Sequence, residues 1–402
     1  MKNFNKDLLI LFIFATLLLS CSTDEDGMEA TNDPNDPPNT TNGIAPSSNA
    51  DAGSSYTNSK TDIRVDYFNI PAGNDSGTLK DAIAYLDANG DGVTDIFMGT
   101  GDFLLQGEVN SILALNDGQG NFTSSTSEFN DNMPPATHAR KSLVFDYNND
   151  GLDDILVLDH GFDGNPFPGS NPKLIIQNAV GTFTWSKLMD QTGFHHGGAA
   201  ADIDNDGDID IFVGGFEPFF YINNDGNSLT KTETIFDNSI NKVFSAELID
   251  VDADGYVDLL VGAHEQDGDT TSIYWGSSAG SYSSSLRTII PEFANYGTVL
   301  DFEAEDVDND NDRDLIVNRT GGGNNNFYNG RRVQLLLNDG NRQFVEGTNQ
   351  IDNPGLDSEI WFPWLRAQDV DNDGDIDIFP DDNGYGFSFI NDGNGNFVKT
   401  SN

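Results

Sequence analysis

The stretch Asp250-Val251-Asp252-Ala253-Asp254-Gly255-Tyr256-Val257-Asp258, followed at once by Leu259-Leu260-Val261, decides the fold. Carboxylates stand at positions 1, 3, 5 and 9 of this nine-residue loop, and glycine stands at position 6, where the chain must turn sharply. A bound cation would relieve such crowding of like charge. Hard oxygen donors in a tight loop suit Ca²⁺, which takes about six to eight of them in flexible geometry, better than the strict octahedron of Mg²⁺.

The loop recurs six times. Its expected ligands are Asp87, Asn89, Asp91 and Asp95 in the first copy, then Asp146, Asn148, Asp150 and Asp154. Asp202, Asp204, Asp206 and Asp210 follow, then Asp250, Asp252, Asp254 and Asp258. The last two sets are Asp306, Asp308, Asp310 and Asp314, and Asp369, Asp371, Asp373 and Asp377. Asn89 and Asn148 lower the ligand charge, and Asn311 replaces the position 6 glycine, so copies one, two and five are expected to bind more weakly. An EF-hand would need a bidentate Glu at position 12. That position is Met98, Val157, Val213, Val261, Val317 and Pro380, in apolar runs that read as strands.

A second motif follows each loop. It is Leu115-Asn116-Asp117-Gly118-Gln119-Gly120-Asn121-Phe122 in the first copy and returns as Leu337-Asn338-Asp339-Gly340 with Phe344, and as Ile390-Asn391-Asp392-Gly393 with Phe397. Asn-Asp-Gly between apolar runs is a tight hairpin. Each unit then has four strands. In the second copy they are Ser142 to Phe145, Asp154 to Leu158, Lys173 to Gln177 and Thr182 to Lys187. Loop starts lie 59, 56, 48, 56 and 63 residues apart. Four antiparallel strands at that period describe a propeller blade, and continuous apolar runs suit inner strands covered on both faces. The expected fold is all-β: a single β-propeller over residues 60–402 with six four-stranded blades, seven being the alternative. Residues 63–70 read as an added strand that closes the ring beside Phe397 to Thr400.

These paired motifs resemble the VCBS/FG-GAP repeat family, the integrin-α-like calcium propellers. The resemblance implies the fold and about six Ca²⁺, but not an activity. Relatives include lectins, adhesins, scaffolds and some polysaccharide lyases.

The front end differs. Lys2 and Lys6 precede the short apolar run Leu8 to Leu19, which reads as a signal peptide over 1–20. Leu18-Leu19-Ser20-Cys21 resembles a bacterial lipobox, which implies lipidation at Cys21, the only cysteine. Ser22-Thr23-Asp24-Glu25-Asp26 resembles the export tag of Bacteroidota surface lipoproteins. The expectation is an outer-membrane lipoprotein exposed at the cell surface, the periplasmic face being the alternative. Residues 21–59 are too polar to bury a core and read as a tether. The formal charge is −47, and six Ca²⁺ would bring it only to about −35, which argues against nucleic acid or anionic lipid as partners. The membrane would be met only through the anchor, and a monomer is expected.

Connectivity puts both hairpin sets at one end of the blades. The loops at the other end stop repeating and carry His138, Arg140, His195, His196, Tyr328, Trp361, Trp364 and Tyr385, which become the ligand candidates. Rings beside polar groups suit a glycan, and a protein partner is the alternative. Phe216, Phe219 and Phe220 read as core, and Arg331-Arg332 as a solvated hairpin arm. No catalytic set stands out. His195 or His196 with Arg140 is the one combination that acid–base chemistry could use.

Overall fold

A computed structural model describes residues 65–67, 70, 79–101, 107–130, 132–226, 228–237, 239–321, 328–355 and 358–401. The leader, Cys21 and the tether lie outside the described residues.

The chain is a six-bladed β-propeller of four-stranded antiparallel sheets. Blade 1 comprises Leu79–Leu86, Asp95–Gly101, Ile112–Asn116 and Phe122–Ser125. Blade 2 comprises Ala139–Phe145, Asp154–Asp159, Lys173–Ala179 and Thr182–Lys187. Blade 3 comprises Gly198–Ala201, Asp210–Val213, Phe219–Asn224 and Ser228–Thr232. Blade 4 comprises Ser245–Ile249, Asp258–Gly262, Ser272–Tyr274 and Arg287–Ile289. Blade 5 comprises Thr298–Glu305, Asp314–Thr320, Arg331–Asn338 and Phe344–Glu346. Blade 6 comprises Leu365–Gln368, Asp377–Pro380, Phe387–Asn391 and Phe397–Ser401.

The first strand of each blade lies innermost. Ser142 Oγ donates to the Ala82 carbonyl of the preceding blade at 3.1 Å, and Ser245 Oγ to the Val299 carbonyl of the next at 3.1 Å. Lys141 of blade 2 reaches past blade 3 to pair with Glu247 of blade 4, both buried. A buried ion pair therefore joins two blades that are not neighbours. The apolar core lies in the seams between blades: one cluster spans blades 3 and 4, another blades 4 and 5, another blades 5 and 6. Second strands are buried along their whole length, as their unbroken apolar runs require.

The ring closes otherwise than expected of residues 63–70. Val65 forms a single parallel bridge to Asp382, in the loop between the second and third strands of blade 6, and the Asn383 amide donates to the Val65 carbonyl at 2.9 Å. Phe397 is bridged instead by Ile351. The Tyr67 hydroxyl meets Tyr85 of blade 1 and Asp381 of blade 6, and Arg366 pairs with Asp381 at 2.9 Å while lying over the Tyr85 ring. A buried polar knot thus fastens the last blade to the first.

Candidate functional site

The six loops are organised by their own carboxylates. In each, the position 1 carboxylate accepts the amides of positions 5 and 6: Asp250 takes Asp254 at 3.1 Å and Gly255 at 2.9 Å, and Asp306 takes Asp310 and Asn311 at 3.1 and 2.9 Å. The position 5 carboxylate accepts the amide of position 7, as Asp254 does from Tyr256 at 3.0 Å. Two left-handed residues bend the chain for this. One is position 6, where Asn311 adopts φ +75° and keeps the turn without glycine. The other is position 4, occupied by Gly90, Asn149, Asn205, Ala253, Asn309 and Asn372. The Gly or Asn at position 4 of five copies was a signal the sequence reading passed over.

Position 9 has a second duty. Both oxygens of Asp95 accept backbone amides, from Ala88 at 3.1 Å and Asn116 at 2.7 Å. Asp154, Asp210, Asp258, Asp314 and Asp377 repeat this. Each therefore ties its loop to the third strand of its own blade. Burial pushes Asp95, Asp154 and Asp314 up to about 7, Asp210 to about 8 and Asp377 to about 6. Neighbouring loop carboxylates push the same way, while the amide bonds oppose.

Four of the six donor sets bring three carboxylates close enough together for a divalent cation. Oxygens of Asp202, Asp204 and Asp206 lie within 4.8 Å of one another, as do those of Asp250, Asp252 and Asp254. The fifth and sixth loops bring together Asp306, Asp308 and Asp314, and Asp369, Asp371 and Asp377. Asp308 Oδ1 is buried with no hydrogen-bond partner, a lone acceptor that a cation would satisfy.

At the other end the structure gathers several candidates, and it places them inside. Arg140 Nη1 donates to His138 Nε2 at 3.0 Å and Nη2 to His196 Nε2 at 3.2 Å. His196 Nδ1 donates to the Phe244 carbonyl at 2.8 Å, which fixes its tautomer. Rings continue the cluster: His160 stacks on Phe194 at 4.1 Å, His196 on Phe244 at 3.9 Å, and Phe244 meets His264 edge-on at 4.2 Å. Burial holds His138 and His196 well below the ordinary imidazole range, His195 at about 4 and His264 at about 3. His195 stands apart from Arg140, edge-on to Phe219 at 6.1 Å. Asp159 is a residue the sequence reading missed. It accepts the Thr137 and His138 amides at 3.0 and 2.9 Å and pairs with Lys173 at 2.7 Å, anchoring the strand entry below the cluster.

Trp364 is also buried, and Tyr385 is half-buried, edge-on to Phe362. Tyr328 and Trp361 differ. They stack at 4.8 Å, remain half-buried, and lie beside Ile360, which is 63 % exposed. Two readings need correction. Phe216 is exposed and stacks on Phe194 at 5.0 Å, whereas Phe219 and Phe220 are core. Arg331 is buried over Phe387 at 4.3 Å, and Arg332 lies over Phe293 at 4.5 Å, so neither is a solvated arm. Cation–π attraction and the apolar stems hold both in place.

Residues 87–157, 146–213 and 250–317 match the FG-GAP-like repeat family, each match running from one acidic loop through the strand after the next. The propeller carries FG-GAP-like repeats. No curated protein matches the chain. Among solved structures, the crystal structure of the V. cholerae biofilm matrix protein Bap1 is similar at 17 % identity and a TM-score of 0.42, over 76 % of this chain and 43 % of that one. The chain thus spans less than half the length of that protein.

Proposed function

We propose that this FG-GAP-like propeller is a non-catalytic, calcium-stabilised binding protein that takes a glycan on the face opposite its acidic loops, from a lipid anchor at the cell surface. The observation that carries the reading is the stacked pair Tyr328 and Trp361 with exposed Ile360, standing where the loops stop repeating. Half-open aromatic rings flanked by polar chain suit the C–H faces of sugars. The loops' role is structural: Ca²⁺ would be held by the carboxylates at positions 1, 3, 5 and 9, neutralising charge that opposes folding. The chain's own residues have already set the turn, because the position 1 carboxylate holds two amides before any ion arrives.

The histidines and Arg140, the one set suited to acid–base chemistry, are buried and bonded to one another. That favours binding over a lyase-like activity. A glycan array read with the wild type and Trp361→Ala tests the proposal. Binding that Trp361→Ala abolishes at unchanged melting temperature supports it. An array without signal, together with capture of an envelope protein unaffected by Trp361→Ala, refutes it in favour of a scaffold or adhesin.

A further inference from the structure

The first five acidic loops are met, across the seam, by the Asn-Asp-Gly-type hairpin of the next blade. A Cβ added at Gly181, Gly226, Gly280 or Gly395 would come within 4 Å of Asn89, Asn148, Asp204 or Asp308 respectively, which is position 3 of the preceding blade's loop in every case. These glycines are left-handed, with φ between +55° and +74°. In blade 5 the residue at this place is Arg342, also left-handed at φ +61°. Its side chain enters the loop of blade 4. Nε pairs with Asp252, and Nη2 pairs with Asp254 Oδ2 at 2.9 Å.

The rest of the residue is fastened as well. The guanidinium lies 4.7 Å over the Trp275 ring, and the Arg342 carbonyl accepts from Thr288 Oγ1 at 3.1 Å, which in turn accepts from Trp275 Nε1. The same seam lacks a link found elsewhere. At position 4, Asn149 bonds Asp208 of the next blade, and Asn309 donates to Asp375 Oδ1 at 3.2 Å and the Gly393 carbonyl at 3.1 Å. Blade 4 has Ala253 there, with no donor to offer.

We propose that Arg342 is a resident counter-ion of the fourth loop, holding the seam between blades 4 and 5 without metal and making this loop the weakest of the six for calcium. This rests on the reading of the loops as calcium sites. A guanidinium bridging two of the donor carboxylates makes one charge-assisted hydrogen bond to each and repels an incoming cation. Asp254 is then engaged at both oxygens, since Oδ1 already accepts the Tyr256 amide. Asp252 Oδ1 is buried with no hydrogen-bond partner, so the loop keeps that oxygen, beside those of Asp250 and Asp258, for an ion and is weakened rather than closed. The order expected from ligand charge, with loop four among the strong sites, is thereby reversed.

The test compares the full-length wild type with Arg342→Gly, which restores the glycine of the other turns and fits the left-handed backbone. Calcium is titrated by calorimetry and by competition with a chromophoric chelator, and melting is followed in excess EDTA. The weakest site of Arg342→Gly should tighten at least about tenfold, and the variant's melting temperature in EDTA should fall, although glycine suits that turn better. A weakest site unchanged by the substitution, or an EDTA melting temperature unchanged by it, overturns the proposal. If the wild type binds no calcium, the calcium reading itself fails. The EDTA comparison then judges the resident counter-ion alone: a lower melting temperature sustains it and an equal one overturns it.

Discussion

Withdrawing calcium should make this protein lose stability as the pH rises from about 6.5 to about 8. The cause is the buried carboxylate at position 9. In the metal-free fold Asp95, Asp154 and Asp314 are pushed up to about 7 and Asp210 to about 8, whereas the unfolded chain releases these protons near the ordinary 3.8. The folded state therefore binds more protons than the unfolded state, and its stability falls with rising pH until the folded values are passed. Across this window the loss is about 0.8 kcal/mol for each group held at 7 and about 1.6 kcal/mol for one held at 8. Halving the sum for solvent screening leaves about 2 kcal/mol, or a few degrees of melting temperature. The histidines with depressed values work the other way. The unfolded chain is still half protonated at them at pH 6.5, so each returns about 0.4 kcal/mol by pH 8, equally with and without calcium, and the carboxylate effect is read as the difference between the two conditions. The assay is calorimetric or circular-dichroism melting in excess chelator and in excess calcium, at half-unit pH steps. The calcium-loaded protein should lack the fall, because the ion keeps the carboxylates ionised. A melting temperature that, between pH 6.5 and 8, changes in chelator just as it does with calcium present would refute this account of the loops.

Two further substitutions probe the framework. Asp314→Ala should cost about 2–4 kcal/mol in urea unfolding even without calcium, since it strips the acceptor from the buried Val307 and Asn338 amides. A loss seen only with calcium present would mean that position 9 serves the ion alone. Arg140→Ala should cost about 3 kcal/mol by the same measurement, leaving His138 Nε2 and His196 Nε2 without their donor inside the core. A near-neutral result would mean that the cluster is open to water.

Much of the architecture could be read from the chain because it depends on short-range pattern. Carboxylate spacing, the Asn-Asp-Gly turns and the apolar runs gave the blade-2 strands to within a few residues at each end, and the fourth, Thr182–Lys187, without error. The site was less legible. His138, Arg140 and His196 come from two blades, and sequence cannot say whether three such side chains meet solvent or each other. The same limit applies to Arg331, which looks solvated in a polar hairpin and is covered by Phe387 from the neighbouring blade. Position 9 looked like a metal ligand alone, because one of the two amides it holds lies well along the chain, as Asn116 does from Asp95.

The sequence by itself determined the all-β repeat, the acidic loops and the end of the propeller where they lie, since like charge at fixed spacing and a turn residue every period act locally. Only the tertiary structure decided how the ring closes, through Tyr67, Tyr85, Asp381 and Arg366. It alone decided that the histidines are interior. It alone placed Arg342 in another blade's loop, some 90 residues away. The reason is the same in each case: these contacts join neighbouring blades, and the seam between two blades is written in neither repeat alone.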